Sequence, residues 1–342
     1  MNENEILMVA ELRESADVVS RQLELLVGSL RKLSARLRAR APQVVVTCAR
    51  GSSAHAANFG KYLIERYIGI PVAAAAPSIT TIYERSLHLQ DQLFIAVSQS
   101  GSSDDLVEAT ASAKAAGALT VGILNDTESS LASVCDVVLP MSAGPELSVA
   151  ATKSFIGSLS LFLNLVGAWA DEASIRSALE RLPDRLAKAA ECDWTQAIGT
   201  IASATSLATL GRGPTLAIAQ EAALKLKEVC NIHAEAFSGA EFQHGPVALV
   251  SRDYPVLIFM PSDKSADNLA ALAIDLYRKR GAVFATGFHE VTGDLPVLPP
   301  DHPDTDAICL IQAFYEFAIQ LAVHRGMDID QPRHIQKITR TR

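Results

Sequence analysis

The sequence predicts an α/β protein of two tandem, doubly wound parallel-sheet subdomains related by internal duplication. Three observations carry this. Short unbroken apolar runs, best seen in Leu93–Val97, end at once in Ser/Gly turns, the pattern of strands buried on both faces. Each turn leads into a segment with the spacing of a helix, so strands and helices alternate along the chain. Finally, the turn Arg50-Gly51 returns as Arg212-Gly213, and aligning the two sets Val97-Ser98 against Phe259-Met260 without a gap.

Taken in order, residues 5 to about 38 read as one or two helices, with Leu12, Val19, Leu23, Leu26, Leu30, Leu33 and Leu37 at helical spacing and Gly28 a candidate break. Pro42 opens a strand, Val44–Cys48. The turn Arg50-Gly51-Ser52-Ser53 follows, then a helix from Ala54 to about Tyr67. Pro71–Ala76 reads as a strand and Pro77-Ser78 as a capped helix start. Leu93–Val97, Leu119–Leu124 and Val134–Leu139 are further apolar strands. After the segment Pro140–Ser148 come two helices, about Val149–Trp169 and Glu172–Lys188, with Pro183 predicting a kink or break in the second. The second copy starts with strand Ser206–Gly211, turn Arg212–Thr215 and helix Leu216–Val229. The resulting division is a helical segment at 1–40, a first subdomain at 41–190, a second at 191–329 and a C-terminal tail at 330–342.

Nearly half of the 342 residues are hydrophobic, enough for a large core. A net charge of −8 and the lack of any basic run argue against nucleic acid. The acidic N-terminus does not resemble a signal peptide, and the most apolar stretch, Phe155–Ala170, is shorter than a membrane span and contains Asn164. The five cysteines are scattered without a C-x-x-C pair, suggesting neither a disulfide framework nor a zinc site. A cytoplasmic protein away from membranes is expected.

Leu93–Asp105 is the richest stretch. Its strand runs into Ser98-Gln99-Ser100-Gly101-Ser102-Ser103 and then a helix opening Asp104-Asp105. Strand, hydroxyl-rich turn and helix N-terminus aim backbone N–H groups and serine hydroxyls at one point, and glycine lets the backbone approach what sits there. Phosphate fits best. Such turns are also common as plain helix caps. No lysine and no G-x-x-x-x-G-K-[ST] occur here, so a small phosphorylated molecule suits the turn better than a nucleoside triphosphate. Asp104 and Asp105 would repel that phosphate unless they point along the helix flank.

Ser98-Gln-Ser-Gly after a buried strand, Gly51-Ser-Ser, and Glu146 through Lys153 resemble the sugar isomerase (SIS) family. Glu221-Ala-Ala-Leu-Lys-Leu-Lys-Glu-Val, Ile232-His-Ala-Glu-Ala, His244-Gly-Pro-Val-Ala-Leu and Asp330-Gln-Pro-Arg are more specific. They resemble the isomerase half of glutamine:fructose-6-phosphate amidotransferases, the glucosamine-6-phosphate synthases, from about residue 45 onward. The resemblance implies flavodoxin-like SIS subdomains and chemistry without a metal or redox cofactor. The synthase's glutaminase domain has no counterpart in the sequence, which favours a glucosamine-6-phosphate deaminase; a fructosamine-6-phosphate deglycase or another phosphosugar isomerase is the alternative. A non-catalytic sugar-phosphate sensor is the reading from a different class, and such sensors usually carry a DNA-binding domain for which this acidic chain has no room.

Interconverting a 2-amino-aldose and a ketose phosphate needs a phosphate anchor, a ring-opening group, a base moving a proton between C1 and C2, and polar groups on the enediol or enolamine. The resemblance gives the anchor as Ser98, Gln99, Ser100 and Ser103, with Gly51 and Ser53 from the first turn. Glu228 becomes the proton shuttle, with Lys225 three residues earlier on the same helix face; from spacing alone the pair would be an ordinary exposed ion pair. His244 becomes the ring-opening acid/base, its imidazole titrating near neutral pH. The synthase takes this histidine from a partner subunit, so a homodimer with composite sites is implied. Glu146, Val149 and Ala150 match residues lining the sugar, whereas Ala151 replaces a synthase serine and removes one hydroxyl. Lys337 matches the lysine that reaches the open sugar and can form an imine, on a tail expected to fold over the site as a lid.

Overall fold

The structure is a computed structural model that describes residues 6–291 and 293–337. The first five residues of the predicted N-terminal segment and residues 338–342 of the predicted tail lie outside the described residues. Two parallel five-stranded sheets are present, each in its own compact unit. Of the described residues, one unit gathers 17–146, 153–180 and 336–337; the other gathers 6–16, 147–152, 181–291 and 293–335. The units therefore interleave in sequence.

The first sheet holds β1 (Val45–Ala49), β2 (Val72–Ala74), β3 (Leu93–Ser98), β4 (Leu119–Leu124) and β5 (Val137–Pro140) in the order β2-β1-β3-β4-β5. That is the flavodoxin-like order, in which ligands bind beyond the carboxyl ends of β1 and β3, where the winding reverses. All six residues of β3 are buried, as its unbroken apolar run requires of a central strand. On one face, helix Gly51–Tyr67 packs against helix Lys153–Trp169 so closely that a Cβ at Gly60 would lie 2.4 Å from the Phe162 ring.

The second sheet holds β6 (Ser206–Gly211), β7 (His233–Ser238), β8 (Pro255–Ile258), β9 (Ala282–Thr286) and β10 (Gly293–Leu295) in the order β10-β9-β8-β6-β7, the same winding again. The duplication holds at the level of register. Val46 pairs with Phe94 and Cys48 with Ala96 in the first sheet; Ala208 pairs with Val256 and Leu210 with Ile258 in the second. Each pair is displaced by the offset that superposes Arg50 on Arg212 (212 − 50 = 162). Helix Pro303–His324 is long and apolar enough to cross a membrane, but it is mostly buried and packs on helix Pro214–Glu228 as a core helix of its unit.

Several local expectations are corrected. The N-terminal segment is three helices, Leu7–Arg13, Ser15–Leu25 and Val27–Ala39; the breaks fall at Glu14 and Leu26, and Gly28 lies inside the third. The helix Ala173–Ala189 continues through Pro183, held by a buried face of Ile175, Ala178, Leu179, Leu182, Leu186 and Ala189. Val134 closes a short helix, Ser130–Val134, whose N-terminus Ser129 caps, so β5 starts only at Val137. The helix placed from Val149 starts at Lys153, because side chains described below draw the preceding backbone into a loop. Only Val72–Ala74 of the predicted 71–76 strand forms, and as an edge strand it bonds to β1 alone. The Pro77-Ser78 start becomes a four-residue helix without a side-chain cap.

Candidate active site

The Ser98–Ser103 turn joins β3 to helix Asp104–Ala115. Ser98 Oγ accepts from Gly101 N at 3.0 Å, and Ser102 Oγ donates to Ser100 O at 3.0 Å, so the turn is braced by its own hydroxyls. Gly101 adopts φ +60°, and a Cβ there would sit 2.0 Å from Ser129 Oγ; only glycine fits. Ser103 occupies the N-cap position without using its side chain as a cap, so its hydroxyl stays available to a ligand at the helix start. Asp105 is buried and receives Arg50 Nη2 at 2.8 Å and Nε at 3.1 Å, which ties the first turn, with Gly51 and Ser53, to the second. This clamp keeps the Asp105 carboxylate off the cradle, as the sequence required, while Asp104 is exposed.

In the same unit, Glu146 is buried and accepts from Ser154 N at 3.1 Å, Ser154 Oγ at 2.5 Å and Lys337 Nζ at 3.1 Å. Two residues assigned to the sugar, 191 positions apart, are thereby brought into an ion pair. The tail lysine is largely covered.

In the other unit, Lys225 is fully buried between two carboxylates of its own helix: Glu221 at 3.3 Å and Glu228, with which it forms a short ion pair. Burial alone would lower the Lys225 ammonium's pKa, but the charges of Glu221 and Glu228 outweigh it and hold it above the ordinary lysine value. Tyr315 Oη donates to Glu221 Oε1 at 3.2 Å. The inner carboxylate is sealed, whereas the Glu228 side chain keeps 20% of its exposure and borders a cavity of about 240 Å³. Asn231, Asp328, Gln331, Arg333 and Ile335 also line that cavity, so the tail's Asp-Gln-Pro-Arg segment faces Glu228. Spacing alone suggested an exposed pair; the structure makes Lys225 a core charge.

In the same unit, His244 follows the four-residue helix Gly239–Phe242. Its backbone N–H donates to Glu241 O at 2.9 Å, its side chain is exposed, and no described residue partners its imidazole. Val149 and Ala150 lie in the 147–152 loop, where the next group was not anticipated. Glu11, on helix Leu7–Arg13, accepts from the backbone N–H groups of Leu147 and Ser148 and from Ser148 Oγ at 2.5 Å. A lone glutamate on a helix gives no local signal for such a contact 137 residues away. The Arg50–Asp105 clamp and the Glu221–Lys225 pair also escaped, although both acids stood inside recognised motifs.

Two flavodoxin-like halves with one hydroxyl-rich cradle define a class of duplicated α/β proteins built to hold a small anion. The SIS domain profile matches residues 40–167 and 200–285, and the chain belongs to this family. A glutamine–fructose-6-phosphate aminotransferase (isomerizing) from Thermotoga maritima is 33% identical over 309 residues, covering 86% of this chain and 50% of that protein. The chain thus spans about half the length of the curated relatives it matches. A Silicibacter pomeroyi structure described as a phosphosugar isomerase superposes with a TM-score of 0.90 at 42% identity, covering 95% of this chain and 100% of that one. Glucosamine-6-phosphate deaminase from Thermotoga maritima shares the fold, with a TM-score of 0.76 at 22% identity over 98% and 100% of the two chains.

Proposed function

We propose that this chain is a cytoplasmic SIS-type isomerase of amino-sugar phosphates that converts glucosamine 6-phosphate and water to fructose 6-phosphate and ammonia. The observation that carries the reading is the charged cluster on helix Pro214–Glu228. A buried ammonium is set between a sealed carboxylate and one that borders a cavity, as a base held for proton transfer would be. In this reading Ser98, Gln99, Ser100 and Ser103 hold the phosphate, with Gly51 and Ser53 beside them. His244 of a second copy moves the hydroxyl proton that opens the ring. Glu228 takes the proton from C2 and returns it to C1, turning the aldose amine into a ketose imine. The Lys337 amine attacks C2 of that imine and expels ammonia, and water then cleaves the lysine imine. Lys225 fixes Glu228, while Glu146, Val149 and Ala150 line the sugar.

The test incubates wild type and Glu228→Gln with glucosamine 6-phosphate in deuterated water and follows ammonia and label at C1. Wild type is expected to release ammonia with deuterium at C1, and the variant to turn over roughly 10²–10⁴ times more slowly, the range of general-base catalysis. Ammonia release that survives the substitution removes Glu228 from the mechanism. Amine released from a fructosamine 6-phosphate, with none from glucosamine 6-phosphate, assigns the deglycase activity instead.

A further inference from the structure

Glu11 is a buried carboxylate with no cation beside it among the described residues. Its charge is compensated by three donors of a single dipeptide: Leu147 N, Ser148 N at 3.2 Å and Ser148 Oγ at 2.5 Å. Burying a carboxylate is costly unless its hydrogen bonds are made, so all of this charge acts on one point of the backbone. That point opens the loop carrying Val149 and Ala150. The helix bearing Glu11 is only seven residues long, and its N-cap residue, Ile6, offers no side-chain acceptor. Its first N–H groups are taken instead by the Asp330 carboxylate, Leu7 N at 2.9 Å and Met8 N at 3.1 Å. Asp330 is the first residue of the Asp-Gln-Pro-Arg tail. One short helix is therefore fastened at its start to the root of the tail and through Glu11 to the loop.

The geometry points to Glu11 as a positioning residue for sugar recognition: it holds the 147–150 loop in the shape that contacts the sugar, on a helix anchored by the base of the tail. This rests on the proposed function, in which that loop lines the sugar while the phosphate is held elsewhere. Glu11→Gln keeps the size but turns one acceptor into a donor facing the Ser148 amide; Ser148→Ala removes the hydroxyl with its contacts to Glu11 and to Ala150 O and keeps the two backbone donors.

Both variants and wild type are to be assayed with glucosamine 6-phosphate, titrated with inorganic phosphate, and followed by amide hydrogen exchange. Glu11→Gln is expected to raise KM for glucosamine 6-phosphate roughly tenfold, as for a lost charge-assisted hydrogen bond, with phosphate affinity kept within about twofold. The Leu147 and Ser148 amides should exchange faster, while the Ser98–Ser103 turn stays as in wild type. Ser148→Ala should shift KM in the same direction by less, and add little on top of Glu11→Gln. Equal losses for phosphate and sugar phosphate overturn the assignment by marking a general structural role. Unchanged exchange at Leu147 and Ser148 overturns it as well. If wild type does not process glucosamine 6-phosphate, the substrate reading falls, and exchange at these two amides alone decides the positioning role.

Discussion

At the scale of single residues, the unusual group is Lys225. A lysine held in the core by two carboxylates is a coupled unit, and removing one member strands the others. Lys225→Met leaves Glu221 buried beside Tyr315 without its cation, which should destabilise the protein by about 3–5 kcal/mol, the cost of breaking a buried pair from one side. The pH dependence follows from the raised pKa. A lysine whose folded pKa exceeds its unfolded value stabilises fully below the unfolded value, here the ordinary 10.5, and that contribution is lost as pH rises through the folded one. Thermal melts of wild type should therefore fall away above about pH 10.5 more steeply than those of Lys225→Met. Parallel alkaline limbs would show that the cluster is not charged as described. Sequence spacing placed Lys225 and Glu228 on one helix face, but burial is a tertiary property. Packing of helix Pro214–Glu228 on β6, β7 and helix Pro303–His324 is what makes Lys225 a core charge.

At the scale of elements, the cradle is shaped by its strand and turn together. Gly101 at positive φ, Ser129 filling the space where a Cβ would go, and the Arg50 clamp on Asp105 leave Ser100 and Ser103 at a helix start. Replacing Ser100 with Asp sets a carboxylate in that turn, and calorimetry should find sugar-phosphate binding abolished. Unchanged affinity would place the anchor elsewhere. This element was legible because strand, turn and helix are local and their chemistry is written in consecutive residues. The 147–152 loop was not. Its alanines and β-branched valine continue a helical pattern, while the contacts that hold its first residues come from Glu11, far along the chain. Likewise Pro183 reads locally as a break, yet the buried face on either side carries the helix through it.

For the whole molecule, the duplication was the most legible feature, because an ungapped repeat of strand and turn preserves hydrophobic period and loop length together. The strand pairings bear it out residue for residue. Assembly is less legible, since a composite site needs side chains that face outward and leave no pattern in the core. In the proposed function a second copy supplies His244, whose imidazole is exposed and has no partner among the described residues. Mixing His244→Ala with Glu228→Ala protein should then restore part of the activity in heterodimers, where one site of two is intact. Fully active monomers in sedimentation and kinetic assays would sink the idea.

The bond between Leu7 and Asp330 also has a meaning in time. A chain emerges from the ribosome in order, and contiguous regions fold as they appear. Residues 17–146 and 153–180 can complete their sheet while synthesis continues. Helix Leu7–Arg13, made long before, must wait for Asp330, 323 residues downstream, to cap it. A helix made early is thus among the last to be fastened.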